Sequence, residues 1–194
     1  QELATQYPGD PGIAAPLYLN LIHLKKGNAA FLGPRRLHAY LFGTGVEIMA
    51  NSDNVLRAGC TTKHVDPAEL RRILIFDPET PQPIGSGGEP VTVYRTPARE
   101  FELTSIDVTD CLRFELWLDD SPAIVLPIGT GIRDVQTGQS LSSGESFFVD
   151  AATNRAEFRV QPDDGARRSP LTSDPMVFVA ALPDAATTVI SKDS

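Results

Sequence analysis

Short apolar runs cut by turn chemistry dominate the first fifty residues, and they narrow the folds open to this chain. The runs are residues 17–24, 29–32, 38–42 and 46–49; the interruptions are Lys25-Lys26-Gly27-Asn28, Gly33-Pro34 and Gly43-Thr44-Gly45. Strands this short, spaced this regularly with Gly and Pro between them, predict an all-β sandwich or jelly roll. Within the first run, Leu17, Leu19 and Leu21 alternate with Tyr18, Asn20 and Ile22, the period of a strand that turns one face to a core.

One segment breaks the rhythm. In Asp66-Pro67-Ala68-Glu69-Leu70-Arg71-Arg72-Ile73-Leu74, Asp66 suits the N-cap of a helix, Pro67 its first position and Glu69 a capping-box partner, while Leu70, Ile73 and Leu74 share a face. A short helix is expected there. Residues 77–90 follow with three glycines, four prolines and no periodicity, the signature of a linker or long loop. Apolar runs then resume at 91–94, 101–108, 112–118, 123–132, 146–149, 156–160 and 176–181, enough for a second sandwich. The expected organisation is two β-sandwich units, the first incomplete, with the short helix between them: residues 1–76, a linker over 77–90, and a second jelly roll over 91–194.

Composition excludes several classes of function. With 17 Lys and Arg against 25 Asp and Glu, the 194 residues carry a formal charge of −8, a poor match to a polyphosphate backbone, so no nucleic acid is expected as a partner. Apolar residues make up 41%, too many for disorder. No stretch approaches the ~18 uninterrupted apolar residues of a membrane span, and residues 1–13 have neither the basic start nor the apolar block of a signal peptide. The chain opens at Gln1 directly into structured-looking sequence, as a cut piece would. Cys60 and Cys111, far apart in sequence, are too few for a disulfide framework or a zinc cluster of the CxxC kind. A soluble protein of the reducing cytoplasm is the expectation.

Candidate chemistry is densest between Gly27 and His64. Gly27, Pro34 and His38 stand as in the second half of the metal-binding pattern of cupins, where a His after a Gly turn and a Pro points into the barrel. His38 reads equally as a core histidine bonded to a backbone carbonyl. A zinc site takes three or four protein ligands, and the sequence offers no H-x-H or H-x-x-x-H pair. Glu47 could reach the same barrel interior, yet His38 and Glu47 together fall short of a normal site.

Longer strings carry more information. Leu37-His38-Ala39-Tyr40, then Met49-Ala50-Asn51-Ser52-Asp53-Asn54-Val55-Leu56-Arg57-Ala58-Gly59, then Thr61-Thr62-Lys63-His64-Val65-Asp66 closely resemble type I phosphomannose isomerase, the zinc-dependent mannose-6-phosphate isomerase. Gln6-Tyr7-Pro8-Gly9-Asp10, Leu19-Asn20 and Leu32 also match that family. The resemblance runs from Gln6 to about Phe76 and starts well inside the family's usual chain, so its N-terminal half, with a Gln-x-His pair and a Glu that bind zinc, is absent from this sequence. Thr62 replaces the proline usual before the lysine, which leaves the placement of Lys63 open, and Cys60 stands where a larger apolar residue is common.

The resemblance implies cupin-like jelly rolls, one zinc ion per complete chain, and conversion of mannose 6-phosphate to fructose 6-phosphate and back through a cis-enediol. It implies that His38 ligates zinc, that Arg57 is the active-site arginine, that Asp53 assists ring opening, and that Tyr40, Glu47 and Lys63 line the substrate pocket. The fragment alone would have little activity, and the enzyme would be a monomer. A guanidinium suits phosphate or a developing oxyanion and an ammonium adds a point charge; zinc stabilises an enediolate. Each residue also has a plainer reading: Arg57 and Lys63 as surface ion-pair partners, Asp53 as a turn residue bonded to its own backbone, Tyr40 as a half-buried core residue, Glu47 as an exposed strand residue. Two rival functions stay open, a non-catalytic cupin module that binds sugar phosphate without a metal, and a cupin oxygenase holding iron.

Overall fold

In the computed structural model the alternation of apolar and polar side chains does most of the building. Residues 2–52, 55–78, 80–85, 88–161 and 174–191 are described. In chain order the strands are β1 (Asn28–Ala29), β2 (Ile84–Gly85), β3 (Val91–Tyr94), β4 (Glu102–Asp107), β5 (Arg113–Leu118), β6 (Ala123–Ile128), β7 (Gly131–Asp134), β8 (Ser140–Leu141), β9 (Phe147–Val149), β10 (Arg155–Gln161), β11 (Met176–Ala181) and β12 (Ala186–Ser191). The helices are α1 (Glu2–Gln6), a 3-10 turn at Pro11–Leu17, and α2 (Pro67–Ile73). The chain divides into two compact units, residues 1–42 with 51–83, and residues 43–50 with 84–194.

The larger unit is a sandwich of two antiparallel sheets, in the orders β12-β5-β10-β7-β8 and β3-β4-β11-β6-β9. From β4 onward nearly every connection changes sheet, the habit of a jelly roll. In β5 the even positions Phe114, Leu116 and Leu118 are buried, while Arg113, Glu115 and Trp117 are not; β10 repeats the pattern with Ala156 and Phe158. These inward residues form one core with Ile106, Val125, Ile132, Val177 and Val179 from both sheets. At its centre Phe158 pairs with Phe114 in register. Their rings stack at 5.2 Å, and Phe147 meets Phe158 edge-on at 5.9 Å.

Pro127 sits inside β6, a strand bordered on both sides. The β9 pairing ends at Val125, and the Pro127 carbonyl accepts from Gly144 N–H at 2.8 Å on that side. Because the N–H and C=O of an antiparallel residue point the same way, the missing proline donor falls where no strand needs it.

The outer face of β5 and β10 solves a charge problem. Register sets Glu115 opposite Glu157 and Arg113 opposite Arg159, like charges that repel when directly across a ladder. The side chains bond on the diagonal instead. Arg155 donates to Glu115 at 2.6 and 3.0 Å, Arg113 donates to Glu157 at 3.2 Å, and the Arg155 guanidinium lies 5.4 Å from the centre of the Trp117 ring. The Arg155 hydrogen bond holds the Glu115 carboxyl below its ordinary range, against a desolvation that raises it.

The smaller unit departs from the expectation of strands at 17–24, 29–32 and 38–42. Among its described residues only Asn28–Ala29 is strand, and Leu17 and Leu21 are 81% and 83% exposed. An extended segment becomes a strand only when a neighbouring strand takes its backbone groups; among the described residues these runs, apart from Ala29, form no ladder, and Leu17 ends the 3-10 turn. Residues 46–49, grouped with the larger unit, are likewise not strand. The expected helix is present as α2, with Asp66 accepting from Ala68 and Glu69 N–H at 3.0 and 2.9 Å. Glu69 does not close a capping box, because its carboxylate is bonded to Arg72.

Two outcomes follow from the sandwich. Phe158→Ala should cost about 3–5 kcal/mol, since it opens a cavity between two aromatic neighbours, read as a lower urea midpoint with an unchanged slope. A carboxylate depressed by folding adds stability above its unfolded pKa and loses it as pH falls through the folded one. The wild-type chain should therefore lose more stability between about pH 5 and pH 2 than Glu115→Gln; parallel acid curves for the two would show the diagonal pair to be inert.

Candidate functional site

Two loops of the smaller unit carry His38, Tyr40, Arg57 and Lys63, and each is held by side chains that bond to backbone. The first leads to His38. Arg35, in the left-handed region at φ 68°, donates from Nε to the Ile73 carbonyl, and its own carbonyl accepts from Ile75 N–H at 3.2 Å. Arg36 donates from Nη1 to the Asp77 carbonyl at 2.7 Å. The segment entering His38 is thus strapped to the chain that leaves α2.

His38 itself is exposed. Its Nδ1 lies 3.2 Å from the Arg36 carbonyl, which leaves Nε2 as the outward nitrogen, and its ring meets Tyr40 edge-on at 6.2 Å. The backbone-carbonyl bond anticipated for a structural histidine is present, but the ring is not in a core. Tyr40 is 74% exposed.

The second loop carries Arg57 and Lys63, both exposed. It is anchored by Asp10, whose Oδ2 accepts from Cys60 N–H at 2.9 Å and whose Oδ1 accepts from Gly12 N–H at 2.7 Å. Cys60 is left-handed at φ 50°. Desolvation, followed by the nearby Asp10 charge, raises its thiol pKa. Lys63 N–H donates to Thr61 Oγ1 at 3.1 Å, the local turn a threonine hydroxyl makes with backbone two residues on.

Asp53 lies outside the described residues, as do residues 79, 86 and 87 of the expected linker. Glu47 is exposed and belongs to the segment grouped with the larger unit. Sequence reasoning gave no role to Arg35, Arg36 or Asp10. Only Asp10 left a signal, since an Asp ahead of Pro11-Gly12 has the look of a cap. Among the described residues, no group of three or more His, Cys, Asp or Glu side chains stands ready for a metal ion. One imidazole does not make a zinc site, so the described residues do not fit zinc by themselves.

No family model matches the chain. Individual proteins do. The mannose-6-phosphate isomerase of Macaca fascicularis is 34% identical over 174 residues, 84% of this chain and 41% of that protein. That of Escherichia coli (strain K12) is 36% identical over 153 residues, 75% and 38% respectively. A solved structure of mannose 6-phosphate isomerase from Salmonella typhimurium, bound to substrate and a zinc atom, is similar with a TM-score of 0.68 at 29% identity, covering 92% of this chain and 43% of that one. The chain is homologous to the C-terminal part of mannose-6-phosphate isomerases.

It spans about two-fifths of the length of the relatives it matches. The all-β, cupin-type architecture is shared with the Salmonella mannose 6-phosphate isomerase, and no helix among the described residues is long and apolar enough to cross a membrane. Zinc binding belongs to that relative. For the 194-residue chain alone, dialysis against zinc followed by atomic absorption should find no stoichiometric metal. Full occupancy would mean that the chain completes a coordination sphere unaided.

Proposed function

We propose that this chain is the C-terminal portion of an enzyme that interconverts mannose 6-phosphate and fructose 6-phosphate through a cis-enediol. The observation that carries the reading is the similarity to the Salmonella enzyme crystallised with its substrate and zinc, joined to the unbroken strings around His38 and Arg57. Residues 1–76 are then the end of a catalytic cupin unit, 77–90 a linker and 91–194 a second jelly roll. The exposed Leu17, Leu21 and Phe42 are apolar side chains that the rest of the first jelly roll would cover, since large bare hydrophobics of this kind mark surface that another part covers.

In this reading His38 contributes its outward imidazole nitrogen to a zinc site whose other donors lie outside this chain. The reaction moves a proton between C2 and C1 while negative charge gathers on the sugar oxygens. Arg57 supplies a planar fork of donors to the phosphate or to that developing charge, and Lys63 adds a compact cation. Tyr40 offers a hydroxyl at the rim, Glu47 a carboxylate beside the sugar, and Asp53 a carboxylate for ring opening. The enzyme works as a monomer in the cytoplasm, without nucleic acid or membrane partners.

The test is kinetic. In the full-length enzyme Arg57→Ala should lower kcat about 10²-fold or more, the usual cost of one donor aimed at developing charge, with zinc content unchanged. A variant that loses zinc in step with rate would show Arg57 to be structural.

A further inference from the structure

The tie between Asp10 and Cys60 joins segments fifty residues apart, and it lies next to the loop that carries the proposed cation. Both carboxylate oxygens are occupied by backbone donors, Gly12 N–H and Cys60 N–H. The two segments approach so closely that only glycine fits on either side. A Cβ on Gly59 would stand 3.0 Å from the Gly12 Cα and from Asp10 Oδ1; one on Gly12 would stand 2.9 Å from Asp10 Oδ1 and 3.0 Å from Cys60 N. Cys60, though not a glycine, is kept left-handed at φ 50°, a conformation that an L side chain holds only when its surroundings impose it.

We propose that Asp10 is a positioning residue for Arg57. Its carboxylate holds residue 60 in the left-handed turn, and that turn sets the direction in which the chain from Arg57 to Cys60 leaves the anchor. Three residues span at most about 11 Å, so a change of direction at Cys60 acts within one short stretch of backbone from Arg57. Asp10 would touch neither substrate nor metal; its effect passes through the backbone of Gly59 and Cys60. The inference rests on the reading of Arg57 as the group that meets phosphate or oxyanion.

The experiment uses the zinc-loaded full-length enzyme and four variants. Asp10→Ala should lower kcat about ten- to a hundredfold, within what a misplacement of about an ångström costs, with zinc content unchanged. It should also speed the reaction of the Cys60 thiol with an aromatic disulfide, because a nearby negative charge and a close-packed neighbour are both lost. Gly59→Ala, which pries the segments apart by a different route, should reproduce both effects. Adding Cys60→Gly to Asp10→Ala should restore part of the lost rate, since glycine takes the left-handed turn without being held. The fourth variant, Arg57→Ala, separates the two claims: if it keeps wild-type rate, the functional reading fails and the positioning role falls with it. If Arg57→Ala is impaired while Asp10→Ala keeps wild-type kcat, only the positioning role fails. Loss of zinc in proportion to rate, or no rescue by glycine at 60, likewise overturns it. Should Asp10→Ala fail to fold, Asp10→Asn keeps one acceptor oxygen, and its rate should fall between those of wild type and Gly59→Ala; wild-type kcat in Asp10→Asn together with Gly59→Ala would overturn the proposal.

Discussion

A β-strand stabilises a protein only when its backbone groups find a neighbouring strand and its apolar face finds a second layer. In the larger unit both conditions are met at once. The two five-stranded sheets close on a single core, to which Phe114, Leu116, Leu118, Ala156 and Phe158 of β5 and β10 belong together with residues of the opposite sheet. Remove either layer and the same alternation would leave a row of exposed leucines and phenylalanines. In the smaller unit Leu21 and Phe42 face solvent in segments that are not strand, and Leu17 does so at the end of the 3-10 turn.

The same register that aligns the core decides the outer face. Moving β10 by one residue against β5 would turn Phe158 outward and Glu157 inward, so the core fixes the pairing and the surface charges must accept it. They do so by crossing. Arg155 reaches Glu115 and Arg113 reaches Glu157, which converts two repulsive direct pairs into attractive diagonals. Exposed pairs of this kind add little individually. Their use here is to make the register dictated by Phe114 and Phe158 tolerable at the surface.

The strand pattern of the larger unit was legible because burial in strands such as β5 and the first half of β10 alternates with a period of two. Even so, residues 123–132 read as one run and are two strands, β6 and β7, because Gly129 at φ 70° turns the chain between apolar residues on either side. β12 escaped notice: Ala186-Thr187-Thr188-Val189-Ile190-Ser191 is an edge strand with only part of one face covered, so its pattern is diluted by threonine and serine. Helix α2 was legible from its cap, since Asp66 and Pro67 act locally. The expected capping box was not formed, because Arg72, one turn on, offers Glu69 two donors in place of one. Of the anchors of the candidate site only the cap at Asp10 left a local signal; the long-range bonds left none. A bond from Asp10 to residue 60, or from Arg36 to residue 77, depends on how the chain returns, and no local spacing encodes that.

In the proposed reading, those anchors account for how an acidic chain would present cations to a sugar phosphate. A net charge of −8 would repel a sugar phosphate if it acted as a whole, yet at physiological ionic strength charges are screened beyond about 8 Å. What a phosphate meets at contact distance is set by the few groups on the nearest loop. Arg57 and Lys63 are long, exposed side chains with much rotamer freedom to lose on binding. Fixing their backbone beforehand lowers the part of that cost which arises from the loop itself. Asp10 places both carboxylate oxygens on backbone donors, Gly12 N–H and Cys60 N–H, so in the proposed role it orders the loop through the backbone and not by contact with the cations.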